Sequence, residues 1–455
     1  MCSVSKEKID SSMERYRRNM NVKVKRVDFD KLDKWTINSC GDFVHESGKF
    51  FRICGGMAAE KVGNQARYQP IIDQPEQGIL GIISRDNNGK TEILLQAKIE
   101  PGNLDTVQYS PTVQATKSNY TRVHKGKSVP YIDDFMEGSG KVLNRGYQSE
   151  HGYKFFKKAN DNVHVHDNAA KAVDWRFIWL TLADIRYLLS KEHCVNMDTR
   201  SVLATIDFIG KSLTHSEVFR TIQDDGSIES GLLYSSLSEH GSYSFFADIL
   251  DWAKSHKKNT NIKNKLIPLS DLEQRGWNIK ENKINSDKNK NFELVGIQVS
   301  IESREVSSWF QPIVKDNIPK VYALFMKKIN GIYHALVQMN EEDYSWSGAE
   351  IAPSVHSEDS RTFSLKRYIK KFGLLSQDIT VIYDKFQSEE GGRFLEQRNQ
   401  YMLAIIDDDC DFKIDNNFKW LTLYQLKRMT SYECMVNIEC RTLLTIASYF
   451  KEEQK

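Results

Sequence analysis

Apolar residues in this chain come in short runs closed by polar turns, and the same order of runs occurs twice. Residues 78–84 (GILGIIS) are apolar, Asp86-Asn87-Asn88-Gly89 closes them, and residues 91–99 carry the next run. Asn-Gly between two such runs predicts a β-hairpin by its turn chemistry. Residues 321–326, 328–331 and 332–339 repeat the plan. Thr181-x-x-Asp184 and Thr422-x-x-Gln425 have the spacing of capping boxes. The residues behind them, Ile185, Leu188 and Leu189 in one case and Leu426 and Met429 in the other, fall at helical spacing. Glu100-Pro101-Gly102-Asn103 reads as a turn. Gln108, Ser110, Thr112, Gln114 and Thr116 alternate, which predicts one strand with a face of amides and hydroxyls. His164 and His166 alternate as well, and an exposed strand is the expectation there. Mixed strands with packed helices predict an α+β fold.

The recurrence runs through most of the chain. Gln69-Pro70-Ile71 returns as Gln311-Pro312-Ile313, an offset of 242. The same offset carries Trp35 onto Trp277, Phe50 onto Phe292, Glu60 onto Glu302, Gln96 onto Gln338 and Pro111 onto Pro353. It slips to 239 where Gln148-Ser149-Glu150 meets Gln387-Ser388-Glu389 and Asn160 meets Asn399. It returns to 241 where Trp179-Leu180-Thr181-Leu182 meets Trp420-Leu421-Thr422-Leu423 and Arg200 meets Arg441. Two tandem domains of about 200 residues, products of an internal duplication, are predicted. The first spans 1–235 with an N-terminal arm. The second spans 236–455 and opens on a linker. Residues 254–265 and 280–290, rich in Lys and Asn, read as surface loops, and the basic stretch 13–25 as an exposed helix or arm.

Composition narrows the function classes. With 63 basic and 61 acidic side chains in 455 residues the net charge is +2, which argues against nucleic-acid binding driven by global charge. No apolar run reaches membrane-spanning length and the N-terminus does not read as a signal peptide. Seven scattered cysteines without C-x-x-C read as free thiols of a cytoplasmic protein. There is no G-x-G-x-x-G after a strand and no Walker loop, so no cofactor is expected.

Two polar clusters are candidates for chemistry. Residues 96–124 carry Gln96, Thr116, Lys117, Ser118, Asn119 and Tyr120, followed by Arg122, Lys125 and Lys127. Amides, hydroxyls and cations together suit a ligand with sugar hydroxyls and phosphates. The second cluster is Ser388-Glu389-Glu390-Gly391-Gly392-Arg393-Phe394, with Arg398-Asn399 beyond it. It offers proton acceptors and a diphosphate clamp. Tyr68 and Trp309, ahead of the repeated Gln-Pro-Ile, are candidates to stack on a base or ring.

Residues 69–76, 96–124, 148–150, 179–182, 195–200, 388–394 and 420–423 together resemble the nucleotide-diphospho-hexose 2,3-dehydratases. The resemblance covers nearly the whole chain. It implies two Nudix-like domains per subunit, a homodimer, one active nucleotide-sugar pocket and one remnant. Neither copy has the acidic motif with which Nudix hydrolases hold Mg²⁺, so kinship of fold does not carry their chemistry. The implied reaction removes the C2 hydroxyl of a dTDP-4-keto-6-deoxyhexose after a base takes the C3 proton. A ketoreductase would consume the 3,4-diketo product. For the base, Glu389 or Glu390 comes first and Tyr120 second. For substrate binding the expected residues are Tyr68, Gln96, Thr116, Lys117, Ser118, Asn119, Trp309, Arg361, Arg393, Arg398 and Asn399. No metal is expected to take part. A non-catalytic nucleotide-sugar-binding protein and a divergent pyrophosphohydrolase are the alternatives.

Overall fold

The computed structural model describes the chain except residues 1–5, 61–65, 122–127, 137–139, 207–224, 302–306, 366–367, 369, 371, 373–374, 411–413 and 452–455. Arg122, Lys125, Lys127 and Glu302 therefore lie outside the described residues.

The predicted hairpins form. Strands Gly78–Asn87 and Lys90–Ile99 meet at Asn88 and Gly89, with φ of 51° and 72°. Lys320–Ile329 and Ile332–Glu341 meet at Asn330 and Gly331, with φ of 54° and 79°. Left-handed backbone at both central residues matches the twist of the paired strands, and Asn and Gly adopt it at low cost. Both capping boxes also form: Thr181 and Asp184 bond reciprocally, as do Thr422 and Gln425.

Each hairpin is the centre of a seven-stranded mixed sheet. In the first half the order is Lys141–Ser149, Ala159–His166, Gly78–Asn87, Lys90–Ile99, Phe177–Thr181. In the second it is Ile379–Ser388, Arg398–Ile406, Lys320–Ile329, Ile332–Glu341, Phe418–Thr422. The α+β class and the repeat of the halves are thus both present.

The strand expected over 108–116 is two strands. Val107–Ser110 pairs with Lys90–Ile99, and Val113–Thr116 pairs with Gly78–Asn87. Pro111, which has no N–H for a ladder, sits at the crossing. Thr112 Oγ1 fills the gap: it accepts from Ile83 N at 3.0 Å and donates to the Leu94 carbonyl. Ser354 does the same in the second half, with Phe325 N and the Leu336 carbonyl.

Each half also has a five-stranded sheet, and here the halves exchange. Strand Val22–Val27 pairs with Phe292–Ile301 of the second half, and Ile262–Ile267 pairs with Arg52–Glu60 of the first. The indoles bind across as well: Trp35 Nε1 donates to Phe310 O at 2.7 Å, and Trp277 Nε1 to Tyr68 O at 2.8 Å. At the centre helix Met197–Thr205 packs on Ile438–Ser448. Buried Arg200 donates to the Ser388 carbonyl and buried Arg441 to that of Ser149, each at 2.6 Å.

Several expectations are corrected. The basic stretch 13–25 is not simply exposed: helix Lys6–Asn19 buries Ile9, Met13 and Tyr16 in the first-half core. Residues 254–265 are the end of helix Phe246–Lys258 and strand Ile262–Ile267 rather than a loop. His164 is buried, with Nε2 2.7 Å from Ser84 Oγ, so the strand is not exposed there. A boundary at 235/236 would fall inside helix Ile228–Leu237, which packs on second-half strand Ile332–Glu341. Among the described residues no helix is long and apolar enough to cross a membrane.

Candidate functional site

Two turns cross between the halves. Residues 150–158 follow the first-half edge strand and lie on the second half: Tyr344 N donates to Gly152 O at 2.8 Å, and Gly152 N to Glu342 Oε2 at 2.8 Å. Residues 389–397 follow the corresponding second-half strand and lie on the first: Gly102 N donates to Gly391 O at 2.7 Å, and Glu396 N to Gly102 O at 2.9 Å. A Cβ at Gly102 would stand 1.7 Å from the Phe394 carbonyl, so only glycine lets the backbones approach.

At the first-half site four acids converge. Glu100 ends the central hairpin, Glu150 starts its own half's turn, Asp198 is on helix Met197–Thr205, and Glu390 arrives on the turn from the other half. Glu100, Glu150 and Asp198 are buried, while Glu390 is half-buried and the most accessible of the four. Gln114 Nε2 donates to Glu100 Oε1 at 3.0 Å and Asn160 Nδ2 to Glu150 Oε1 at 2.6 Å. Glu100 Oε2 and Glu150 Oε2 are buried without a hydrogen-bond partner among the described residues. Burial and mutual repulsion push Glu390 up to about 7, hold Asp198 well above the usual carboxylate range, and raise Glu150 through burial alone.

Three cations face these acids. Lys98 Nζ is 3.4 Å from Glu100 Oε1. Burial pushes Lys158 down to about 8 against the pull of Glu150 and Glu390, and its Nζ donates to the Glu76 carbonyl. Arg393 stacks 4.0 Å from the Phe51 ring centre and donates from Nε to Gln74 Oε1 at 3.2 Å. Glu76 ties the cluster to the 116–120 turn, because its Oε2 accepts from Ser118 N at 3.1 Å and Ser118 Oγ at 2.8 Å. On that turn Lys117 and Asn119 are exposed, Thr116 Oγ1 is 3.1 Å from Ser118 Oγ, and Tyr120 is half-buried with its phenol raised by burial.

The second-half site is built from acids in the same register, and most of their oxygens are met by protein partners, whereas Glu439 Oε2 is buried without a hydrogen bond, 3.7 Å from His356 Nε2. Glu389 Oε1 accepts from Asn399 Nδ2 at 2.7 Å and Tyr401 OH at 2.8 Å, and its Oε2 is 3.2 Å from His151 Nε2. Glu439 Oε1 is 2.9 Å from His151 Nδ1. Burial opposes charge on Glu389, but the bond with His151 holds its carboxyl below the usual range. Glu342, His356 and Glu439 place possible metal-ligand atoms within 4.8 Å of one another, a set no sequence spacing announced. His356 Nε2, the atom an ion would need, already has Asn437 Nδ2 at 3.0 Å.

The remaining candidates have other partners, and Trp309 reaches the 389–397 turn through Gln311, whose Nε2 donates to Gly392 O at 2.9 Å. Gln96 Nε2 donates to the Pro111 and Thr112 carbonyls at 3.1 and 3.4 Å, and Gln338 repeats this on Pro353 and Ser354 at 2.9 and 3.1 Å. Tyr68 lies under Arg275, 4.6 Å from its ring centre, and Trp309 Nε1 donates to Gln311 Oε1 at 2.8 Å. Arg361 is exposed and paired with Asp359 at 2.8 Å; Arg398 stacks on Phe386 at 4.9 Å. The weight of Glu100, Glu150, Asp198 and Lys158 was missed as a group. The repeat could have found the acids, since they fall in register with Glu342, Glu389 and Glu439.

A sequence model of the NDP-hexose 2,3-dehydratases matches residues 6–206 and 246–447. The chain belongs to this family. It is 35% identical over 432 residues to a dTDP-4-dehydro-6-deoxy-alpha-D-glucopyranose 2,3-dehydratase of Saccharopolyspora spinosa, covering 92% of this chain and 86% of that one. Proteins of the same name from Amycolatopsis orientalis and Streptomyces violaceoruber are 33% and 34% identical. They cover 94% and 93% of this chain and 87% and 92% of their own. Among solved structures, a C. elegans Ap4A hydrolase aligns with 25% of this chain and 87% of its own at 15% identity and a TM-score of 0.19. An ADP compounds hydrolase aligns with 37% of this chain and 90% of its own at 10% identity and 0.24. Overlaps this partial carry no argument. The family's members are 2,3-dehydratases, so the enzyme is a lyase of the hydro-lyase type.

Proposed function

We propose that this dehydratase removes the C2 hydroxyl of a dTDP-4-keto-6-deoxyhexose at the first-half site, with Glu390 as general base. The observation that carries this reading is the position of Glu390. It is the acid of the four that reaches solvent, and burial poises its carboxyl at about 7, where a base works best at neutral pH. The C4 ketone acidifies the C3 hydrogen, and Glu390 takes that proton. Negative charge then develops on the C4 oxygen, where a buried lysine or guanidinium such as Lys158 or Arg393 stabilises it without reorganising. The C2 hydroxyl leaves as water with a proton from Asp198, whose carboxyl burial and neighbouring acids hold well above the usual range, or from Glu150, whose carboxyl burial raises. The resulting enol takes a proton at C2 to give the 3,4-diketone.

Lys117, with Thr116 and Asn119, is assigned to the diphosphate at the rim, and Tyr120 is the second choice of base. We further propose a homodimer and a ketoreductase that consumes the diketone. The test is incubation with dTDP-4-keto-6-deoxyglucose and a ketoreductase, with Mg²⁺ or with EDTA. Loss of the C2 hydroxyl in both conditions is expected. Release of dTMP only with Mg²⁺, or tight binding without turnover, would overturn the reading. Activity lost in EDTA and restored by Mg²⁺ or Zn²⁺ would overturn the acid–base scheme.

A further inference from the structure

We infer that His151 is a positioning residue for this reaction: its ring joins Glu389 to Glu439 and so sets the spacing of the two turns that present Glu150 and Glu390. The inference rests on Glu390 being the base. Both ring nitrogens face carboxylates, Nε2 on Glu389 at 3.2 Å and Nδ1 on Glu439 at 2.9 Å, with all three side chains fully buried. Ionised carboxylates only accept, so both nitrogens must donate and the ring is an imidazolium. The two bonds are unequal in what they hold. Glu439 is on a helix buried throughout its length, Ile438–Ser448, and is the fixed end. Glu389 is on the turn, one residue before Glu390.

His151 is itself one residue after Glu150, and its turn is held on the far side by Gly152 N bonding Glu342 Oε2 at 2.8 Å. A Cβ at Gly152 would be 2.4 Å from that oxygen. The ring meets Tyr153 and Phe394 edge-on, at 5.6 and 5.5 Å between centres. The charged groups around it are Glu389, Glu439, Glu150 and Glu390, with His356 beyond Glu439. The phenols of Tyr153, Tyr322 and Tyr401 surround the same carboxylates. One cation thus serves two purposes. It neutralises the second-half acids and it fixes how far apart the first-half acids stand.

The test uses the full-length enzyme with kcat and KM followed across pH. His151→Leu is expected to lower kcat about a hundredfold, the usual cost of misplacing a catalytic group by about 1 Å, with KM within about threefold. His151→Gln, which donates without charge, should recover part of that loss. In it the rise of kcat with pH should move to higher pH, because a positive charge that favours ionised Glu390 is gone. A purely structural role would leave that rise in place. If the Leu variant fails to fold, a double-mutant cycle of His151→Gln with Glu389→Gln decides: transmission through Glu389 predicts that the second change adds less than about threefold. Wild-type kcat and pH profile in His151→Gln, or fully multiplicative losses in the cycle, would overturn the inference. Glu390→Gln run alongside separates the two readings. Full activity there refutes the base, whereas an inactive Glu390→Gln with a fully active His151→Gln refutes only the positioning.

Discussion

The two sites of this molecule share three acids in register and differ in what the opposite half delivers to them. Glu100, Glu150 and Asp198 in the first correspond to Glu342, Glu389 and Glu439 in the second. The crossing turns correspond too, but the residue after the shared Glu is His151 in one and Glu390 in the other. The second-half site therefore receives an imidazolium that bonds two of its carboxylates. The first-half site receives a fourth acid, which helps to raise Asp198 and is itself raised by burial and by Glu100 and Glu150. One substitution between copies thus places a counter-ion in one cluster and a further acid in the other. On the proposed assignment, unmet charge, more than the presence of acids, distinguishes the site.

The largest expected effect breaks the comparison at that residue. Glu390→Gln should lower kcat by about 10²–10⁴ while dTDP-sugar binding stays near normal. Glu390→His should be as inactive, since it brings to the first half the group that quiets the second.

Next come the acids that stand in register. Glu439→Gln removes one of the two carboxylates that hold the buried His151 cation and should cost about 3 kcal/mol in denaturant unfolding, at the low end for a broken buried pair because Glu389 remains. Asp198→Asn, replacing an acid whose carboxyl burial and neighbouring acids raise well above the usual range, should cost far less. If the two losses are equal, the sites do not differ in the way described. Because the carboxyls of Glu389 and Glu439 lie below their ordinary range, the stability they supply is fully present above that range and is lost as pH falls.

The rim gives a smaller contrast. Lys117→Ala should weaken dTDP-sugar affinity by about ten- to a hundredfold, as expected for a charged bond of about 1.5–3 kcal/mol. Arg361→Ala, in the corresponding part of the second half, loses an exposed pair with Asp359 and should change affinity less than about threefold. Titration calorimetry on both variants checks this.

The smallest effect is on stability. The Glu390 carboxyl is raised to about 7, so its favourable contribution is present at low pH and is lost as pH rises through that value. Glu390→Gln should therefore raise the melting temperature at about pH 8, by about 1 °C for each kcal/mol relieved in a chain of this length, and leave it nearly unchanged at about pH 4, below the carboxyl's ordinary value. A shift of equal size at both pH values would mean that Glu390 is not held near neutrality.

Local features of this chain were legible in its residues because short-range chemistry decides them. Asn88-Gly89 and Asn330-Gly331 make their turns whatever lies around them, and Thr181 and Thr422 cap their helices with partners three residues away. The repeat was legible too, since tryptophans and glycines in register need no coordinates to be seen. Pro111 was in plain view, but the alternation around it masked the crossing from one hairpin strand to the other. What only the tertiary structure decided is which half each segment serves. Nothing local distinguishes Val22–Val27 pairing within its own half from pairing with Phe292–Ile301, because strand register and hydrophobic face are met either way. The same holds for the crossing turns: His151 and Glu390 lie 239 positions apart, and two bonded carboxylates make one a counter-ion against the cost of its burial while burial and neighbouring acids poise the other near neutral pH. A side chain's type follows from the sequence, but its charge state depends on desolvation and on neighbours that only the folded chain supplies.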